Sequence, residues 1–278
     1  MPKVQNIYRF FHGKKISSLR LLAYPIFGYV VSGSFEIKTQ MINLLIIFFG
    51  VLFASAMNDH YDALLLGENN ALGNISKRAG NEKKMQTQLY IWIPWFIAFG
   101  LFIFLLQFKV TTWSLVLLWA SLLMSIGYSA PPARIKERKF LGIIFPPLGI
   151  FLLFLQAVLL TGRIDALSGM VVVMVFLLTW YAEGLHLLSD TFEANETHRL
   201  SRRHAVVLLT SVCILGAVFA AFFAFYEYIF ICSIFFWAIR YYAIKRSQLE
   251  DIVRKRRSVF SNVWRIEEFA IYALVISI

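Results

Sequence analysis

At 278 residues, the chain is 59% hydrophobic and only 15% charged, which excludes an ordinary soluble domain, since such domains carry about 25% charged residues. The formal net charge of +11 does not indicate a nucleic-acid-binding protein, because the basic residues lie in short segments between apolar runs, where they orient a membrane protein. Cys213 and Cys232 lie inside apolar runs without a metal-ligand spacing, so neither a disulfide framework nor a zinc site is predicted.

Apolar runs long enough to cross a bilayer recur along the chain. A spanning helix needs about 20 mostly apolar residues. Nine such runs are predicted, near 19–36, 41–58, 88–108, 111–130, 141–162, 167–188, 205–226, 228–244 and 260–278. The first is expected to be an uncleaved helix, because no small-residue cleavage site follows its basic flank. The predicted fold class is therefore all-α, a polytopic membrane bundle of nine transmembrane helices that forms a single domain over residues 1–278.

The basic residues predict how these spans are oriented. Lys and Arg are enriched in the cytoplasmic loops of membrane proteins. If the N-terminus is cytoplasmic, the segments on that side hold 24 of the 27 Lys and Arg, and the opposite loops hold only Lys38, Lys109 and Arg163. An even number of helices would disturb this separation. The sequence therefore predicts a cytoplasmic N-terminus and a functional site on the cytoplasmic face, where the connecting segments are longer and more polar.

The second apolar run ends in an acidic cluster within MNDHYD, residues 57–62. On a helix, Asp59 and Asp62 lie one turn apart, so both carboxylates project from one face, with Asn58 beside them. Carboxylates this close repel one another unless a cation lies between them. Oxygen ligands without His or Cys partners favour Mg²⁺, which often bridges carboxylates to substrate phosphates. The alternative interpretation is that these residues only mark where the helix enters water.

A second acidic cluster follows the sixth apolar run, again at a predicted cytoplasmic helix end. Asp190, Glu193 and Glu196 succeed one another at spacings of three, so the two clusters are expected to face each other. Glu183 and His186 lie earlier in the same run. Ionisable groups inside a membrane segment are costly, and they usually line a cavity or pair with another group. For His186, a polar contact between helices is an equally good interpretation.

Two basic stretches follow the second and fourth runs, NISKRAGNEKK at 74–84 and GYSAPPARIKERKFLG at 127–142. Arg and Lys beside Mg²⁺ and carboxylates suit a diphosphate, Arg through paired donors and Lys as a point charge. Membrane orientation alone accounts for several of these cations, namely Lys83, Lys84, Arg138 and Lys139. It does not require Arg134 and Lys136 to follow a Tyr-Ser-x-Pro-Pro turn.

The three motifs in this order, NDHYD, YSAPPARIK and the second acidic cluster, resemble the UbiA superfamily of intramembrane prenyltransferases over nearly the whole chain. The resemblance implies a nine-helix bundle in which two acidic motifs face each other across a cavity and hold Mg²⁺ on an isoprenyl diphosphate. It implies metal ligands at Asp59, Asp62, Asp190, Glu193 and Glu196, of which the first four are assigned as catalytic. It implies diphosphate-binding residues at Asn58, Arg78, Tyr128, Arg134 and Lys136.

The motifs depart from the family pattern at a few positions. Leu66 stands where the first motif commonly has a further Asp, with Glu68 two residues away as a substitute, and Asn195 occupies a position normally held by Asp. The SAPPARIKER segment is similar to the corresponding loop of the carotenoid-elongating branch, but quinone, chlorophyll and ether-lipid branches share the scaffold. The resemblance therefore implies transfer of an isoprenyl group to a lipophilic acceptor among the membrane lipids: a quinone precursor, a carotenoid or an ether lipid.

Other functions fit parts of the sequence. A CDP-alcohol phosphotransferase also uses aspartates at the membrane edge, but its dense Asp-Gly and Ala-Arg pattern has no counterpart here. A transporter would use Glu183 and His186 as substrate or proton groups and would need interrupted helices in both halves, for which only FPPLGIF at 145–151 qualifies. A non-catalytic homologue would have kept the fold and lost the metal site at the altered second motif.

Overall fold

The structure is a computed structural model, and it describes residues 21–33, 36–65, 81–138, 141–160, 164–190 and 202–245. Within these residues the regular structure is entirely helical. The α-helices are α1 (Ala23–Val31), α2 (Ile37–Leu65), α3 (Asn81–Leu105), α4 (Thr112–Ser129), α5 (Leu141–Val158), α6 (Ala166–Asp190), α7 (Arg202–Ala224) and α8 (Phe230–Lys245), with a 3₁₀ turn at Ile135–Glu137 between α4 and α5.

These eight α-helices correspond to the first eight predicted apolar runs. Five contain segments long and apolar enough to cross a membrane: Ile37–Asp62, Thr112–Ser129, Leu141–Val158, Ala166–Leu185 and Arg203–Ala224. Shorter apolar segments lie at Ile91–Leu105 and Phe230–Tyr242. The all-α membrane bundle is therefore confirmed. The ninth run, 260–278, lies outside the described residues, so the count of nine spans and the cytoplasmic N-terminus stay predictions.

The chain divides into two compact units. The first comprises Met1–Tyr29, Ser34–Arg138 and Leu152–Gly162. The second comprises Val30–Gly33, Lys139–Phe151 and Arg163–Ile278. Helices α1 and α5 each contribute residues to both units, and the single domain over residues 1–278 stays a prediction.

In the first unit, α2 packs along α3 and against α4. The apolar core between them is fully or almost fully buried and includes Ile46, Ile47, Ala98, Leu105 and Leu118. Gly50 lets α2 and α4 approach closely, because a Cβ at this position would lie 2.5 Å from a Leu122 methyl carbon. Small residues at such crossings are typical of membrane helices, whose association depends on close packing.

A buried polar network joins α1, α2, α4 and α5 within the first unit. The Asn43 and Gln156 amides donate to each other's oxygen atoms at 3.0 Å, and both side chains are fully buried. Asn43 also donates to the Tyr29 hydroxyl at 2.6 Å, while Gln156 donates to the Ser114 hydroxyl at 2.8 Å. Because these polar groups satisfy one another, they bind the helices together inside an apolar environment.

Gly28 on α1 lies against the backbone of α5. A Cβ at Gly28 would lie 2.7 Å from the Phe154 carbonyl oxygen and 2.8 Å from the Ala157 Cβ. We expect Gly28→Ala to lower the free energy of unfolding by about 1–3 kcal/mol, since overpacking against backbone cannot be relieved by a side-chain rotation. Thermal unfolding in detergent measures the effect. Gly100→Ala is the control, because open space surrounds Gly100 and alanine favours a helix; equal destabilisation by both variants would contradict the prediction.

In the second unit, α7 packs against both α6 and α8. The Trp237 indole lies flat on Gly216, where a Cβ would come within 2.3 Å of the ring. The Arg240 guanidinium stacks over the rings of Trp237 and Tyr181, at 4.8 and 5.1 Å from their centroids. Both rings are buried, so these cation–π contacts keep a buried charge in an aromatic environment.

Helix α5 runs without interruption through Pro146 and Pro147. The helix break expected at 145–151 under the transporter hypothesis is therefore wrong. Proline removes a backbone hydrogen bond, but membrane helices tolerate it where neighbouring groups satisfy the freed carbonyl.

Asp165 precedes α6 and caps it. Its carboxylate accepts a hydrogen bond from the Ser168 backbone N–H at 2.7 Å, and hydrogen bonds from Ser168 lower the Asp165 pKa. We expect Asp165→Ala to lower the free energy of unfolding by about 1 kcal/mol at pH 7. The pKa of Asp165 is lower in the folded protein than in the unfolded chain. The stability that its ionised carboxylate contributes is therefore fully present above the unfolded pKa, and it is lost as the pH falls through the folded pKa.

The check is the difference in melting temperature between wild type and Asp165→Ala, measured at pH 7 and again in acid below the ordinary Asp range. Asp165→Asn is the control, since its amide oxygen still caps the helix but does not titrate. A difference that stays constant over this range would contradict the prediction.

Candidate functional site

Helix α2 carries the first acidic motif without a break, because the apolar run and the motif belong to one helix that ends at Leu65. Asn58 donates from its amide nitrogen to Asp62 Oδ2 at 2.9 Å, one turn further along. Asp62 is buried, whereas Asn58 and Asp59 are half-buried. The helical spacing predicted for the motif is therefore present, and its last carboxylate points into protein rather than into water.

The loop after α4 folds back sharply. The Pro131–Pro132 peptide bond is cis, and Arg134 has left-handed backbone angles of φ 34° and ψ 55°, which are uncommon for a residue other than glycine. The Arg134 backbone N–H donates to the Ala130 carbonyl at 2.9 Å, and the 3₁₀ turn Ile135–Glu137 follows directly. This tight turn returns the chain so that the side chains of both Arg134 and Lys136 contact α2.

Five side chains form what we call the Asp62 cluster: Asn58, Asp62, Ser129, Arg134 and Lys136. The Lys136 ammonium contacts Asp62 Oδ1 and donates to Asn58 Oδ1 at 2.9 Å. Arg134 Nη2 lies 3.4 Å from the same Asp62 oxygen. Ser129, the last residue of α4, donates to Asn58 Oδ1 at 3.2 Å. Residues from two separate motifs of the sequence therefore share one polar site.

Among the side chains that the structure describes, the Asp62 cluster has an excess of buried positive charge. The side chains of Asp62, Arg134 and Lys136 are 10%, 8% and 7% exposed, so one carboxylate stands against two cations. The carboxylate of Glu137 lies 2.7 Å from Arg134 Nε, but its side chain is 53% exposed, so solvent screens this ion pair. Buried cations beyond the number of buried anions favour an anionic ligand with several oxygen atoms.

The two tyrosines next to the motifs have different surroundings. Tyr61 packs against an apolar cluster of Phe53, Ala56, Met57, Ile91 and Ala130. Tyr128 is half-buried on the last turn of α4, directly before Ser129. Tyr61 therefore anchors the end of α2 to the core, and Tyr128 lies beside the Asp62 cluster in the sequence.

The oxygen atoms on α2 have the chemistry that Mg²⁺ prefers. Asn58 and Asp62 offer amide and carboxylate oxygens within one helical turn, with Asp59 on the turn between them. In the part of the chain that the structure describes, no three His, Cys, Asp or Glu side chains form a metal site on their own. These residues therefore fit Mg²⁺ as a partial site that phosphate oxygens and water would complete, as Mg²⁺ sites commonly are.

The remaining predicted site residues lie partly or wholly outside the description. Asp190 is the last residue of α6, but nothing is described of its side chain, and the same holds for the side chain of His186. Glu193, Glu196 and Arg78 lie outside the described residues. Glu183 is buried in α6. The second acidic motif and its position relative to the first therefore stay predictions.

Two residues of the site were not predicted from the sequence. Ser129 contacts Asn58, and Glu137 pairs with Arg134. Both lie within the stretch GYSAPPARIKER, next to the predicted diphosphate-binding residues Tyr128 and Lys136. The signal for Ser129 was its place at the end of an apolar run, where a hydroxyl is available to a neighbouring helix.

Comparison with known proteins identifies the fold. No family model and no curated protein sequence matches the chain. Among solved structures, the chain is similar to a UbiA homologue from Archaeoglobus fulgidus, with a TM-score of 0.70 and 13% identity, and 98% of each chain is covered. It is also similar to a UbiA homologue from the same organism bound to GPP and Mg²⁺, with a TM-score of 0.66 and 14% identity, covering 94% of this chain and 96% of that one.

A third similar structure is that of a digeranylgeranylglyceryl phosphate synthase studied in membranes. The TM-score is 0.67 at 14% identity, and 99% of each chain is covered. The similarity thus spans nearly the whole chain in all three comparisons, and it confirms at the level of the fold the resemblance that the three sequence motifs predicted. The chain has the all-helical membrane fold of the UbiA homologues.

Proposed function

We propose that the chain is a Mg²⁺-dependent intramembrane prenyltransferase of the UbiA superfamily. It would transfer an isoprenyl group from an isoprenyl diphosphate to a lipophilic acceptor within the membrane. The fold supports this proposal, because one structure with the same fold is bound to GPP and Mg²⁺ and another to DMAPP and Mg²⁺. At 13–14% identity the fold alone does not determine the reaction, which depends on the residues of the site.

The observation that carries the proposal is the convergence of the α4–α5 loop on the acidic motif of α2. Lys136 and Arg134 are held against Asp62 although they lie 74 and 72 residues away in the sequence. A membrane protein has little reason to bury two cations beside a carboxylate at a helix end unless the site receives a charged ligand. Oxygen ligands for Mg²⁺ and donors for phosphate stand side by side here, as diphosphate chemistry requires.

We assign the roles as follows. Asp59 and Asp62 would hold Mg²⁺, and Asp190, Glu193 and Glu196 of the second motif are proposed as further ligands. Diphosphate would be bound by Asn58, Arg78, Tyr128, Arg134 and Lys136. When bound, Mg²⁺ supplies positive charge that neutralises the diphosphate oxygens.

The reaction breaks the bond between the allylic carbon and the diphosphate oxygen, and the bonding electron pair leaves with the diphosphate. Arg134 and Lys136 stabilise the leaving group by donating hydrogen bonds to its oxygens as their charge grows. An electron-rich carbon or oxygen of the acceptor then forms the new bond to the allylic carbon and loses a proton. Nearby aromatic rings such as Tyr128 would stabilise the positive charge on the isoprenyl group.

The sequence leaves three acceptor classes open and predicts the side of the membrane. The SAPPARIKER segment is similar to that of the carotenoid-elongating branch, which favours a polyene acceptor, while a quinone precursor or an ether lipid would use the same site. The concentration of Lys and Arg in segments 59–87 and 131–140 supports a site on the cytoplasmic face.

Transfer of label tests the proposed function directly. Purified protein in detergent is incubated with radiolabelled geranylgeranyl, farnesyl or dimethylallyl diphosphate and a panel of carotenoid, quinone-precursor and glycerol-phosphate acceptors, with Mg²⁺ or EDTA. We expect Mg²⁺-dependent label in one lipid product, which identifies the acceptor. Diphosphate binding without any product would favour the non-catalytic homologue, and absence of diphosphate binding would contradict the proposal.

A further inference from the structure

We propose that Lys136 is an exchangeable internal counter-ion: it neutralises Asp62 until Mg²⁺ and diphosphate bind together, and it then moves from the carboxylate to the diphosphate. This inference rests on the proposed function and concerns how the same site is loaded. Its consequence is that the metal and the diphosphate bind cooperatively, and that Lys136 is the residue that couples them.

The position of the Lys136 ammonium is the first argument. It contacts Asp62 Oδ1 and Asn58 Oδ1, which are two of the oxygen atoms offered for Mg²⁺ on α2. The second Asp62 oxygen accepts from the Asn58 amide nitrogen. A metal ion that binds Asp62 Oδ1 would need the space that Nζ fills, so Lys136 must leave before this oxygen can coordinate the metal.

The charges of the cluster supply the second argument. If Mg²⁺ bound alone, its two positive charges would join the buried Arg134 and Lys136, beside which the described residues supply one buried carboxylate; this is costly where solvent screening is weak. If diphosphate bound alone and drew Lys136 away, Asp62 would lose its closest partner. If both bind, Asp62 would face the charge of the metal, and Lys136 would donate to the diphosphate. Each ligand therefore makes the binding of the other more favourable.

Of the two buried cations, Lys136 is the one that is free to move. The Arg134 guanidinium is held at two points, by Asp62 at Nη2 and by Glu137 at Nε. Lys136 holds the cluster only through its terminal ammonium, a point charge on a flexible four-carbon chain with rotatable donors. Its ammonium reaches a new partner by rotation of the side chain alone, so Lys136 is the mobile cation and Arg134 the fixed one.

The test measures the affinity of purified protein for Mg²⁺, with and without saturating inorganic pyrophosphate, by calorimetry in detergent. In wild type we expect pyrophosphate to tighten Mg²⁺ binding at least about fivefold, the lower end of ordinary coupling. In Lys136→Gln the neutral amide still donates hydrogen bonds, so the fold is preserved. We expect this variant to bind Mg²⁺ alone more tightly than wild type. Its coupling factor, the ratio of the Mg²⁺ affinities with and without pyrophosphate, should be near one.

Arg138→Gln is the matched control. It removes a cation from the same loop, but Arg138 is exposed and outside the Asp62 cluster, so its coupling should equal that of wild type. Lys136→Met is the second variant and removes the donors as well as the charge. If it folds, its coupling factor should also be near one.

Three outcomes would contradict the proposal. Independent binding of Mg²⁺ and pyrophosphate to wild type overturns it without any variant, and so does coupling in Lys136→Gln that equals that of wild type. In both cases transfer of radiolabel would leave the prenyltransferase function intact. If wild type binds neither Mg²⁺ nor pyrophosphate and transfers no label, the proposed function and the role of Lys136 fail together.

Discussion

Asp59→Asn is expected to lower product formation by more than about a hundredfold while the melting temperature of the protein stays unchanged. Removing a residue that hydrogen-bonds to a metal ligand typically lowers metal affinity or activity about 10–100-fold. Asp59 is proposed as a ligand itself, so its loss should have a larger effect. The substitution removes a negative charge and almost no volume, and Asp59 is half-buried at a helix end, so folding should tolerate it. Label transfer measures the activity, and thermal unfolding in detergent measures the stability.

Glu227→Gln is the control for this prediction. Glu227 is an exposed carboxylate in the turn between α7 and α8, and the same exchange of acid for amide there should leave both activity and stability at the wild-type level. Wild-type turnover by Asp59→Asn would remove the metal role from this position. A large drop in melting temperature would instead show that Asp59 serves the fold.

Asp62→Asn is expected to destabilise the protein by about 3–5 kcal/mol, the usual cost of removing one partner from a buried ion pair. The reason is that Lys136 and Arg134 would remain buried without their shared carboxylate. Lys136→Met should cost less, because Arg134 still faces Asp62. The double variant Asp62→Asn/Lys136→Met should lose less unfolding free energy than the two single variants lose together. The reason is that the second substitution removes one of the unpaired charges.

The coupling energy between Asp62 and Lys136 is obtained by unfolding wild type, the two single variants and the double variant in detergent. The matched control is Glu137→Gln, which removes the carboxylate paired with Arg134 at a side chain that is 53% exposed, where an ion pair contributes about 0–1 kcal/mol. If Asp62→Asn and Glu137→Gln destabilise the protein equally, burial does not determine how much stability is lost when the carboxylate of an ion pair is removed. Additive single effects would show that Asp62 and Lys136 do not interact in solution.

The two predictions separate what each carboxylate does. Asp59 should affect the reaction without affecting folding, whereas Asp62 should affect both, because it balances the buried cations of the loop as well as offering ligands for Mg²⁺. A buried charged cluster of this kind adds little net stability compared with apolar packing. Its presence is better explained by a charged ligand than by a need of the fold.

The composition and the long apolar runs determined that the chain is a helical membrane protein, because a bilayer requires such runs and an internally satisfied backbone. The helical spacing of Asn58 and Asp62, and the selection of Arg134 and Lys136 as part of the same site, also followed from the sequence. The spacing depends on local periodicity, which a single sequence displays directly. The placing of Arg134 and Lys136 in the same site followed from the resemblance of the three motifs to the UbiA superfamily. The order of the three motifs was sufficient to predict the fold that the structural comparison confirmed.

Tertiary structure alone decided which of these residues touch. The contact of Lys136 with Asp62 joins positions 74 residues apart, and the Asn43–Gln156 amide pair joins positions 113 residues apart. Helical periodicity gives the face on which a residue lies, but it says nothing about which other helix that face meets. The left-handed turn at Arg134 brings Lys136 onto the carboxylate of α2, so that a residue expected to bind diphosphate lies where a metal ion was expected. That position depends on packing and backbone geometry, which residue types alone do not specify.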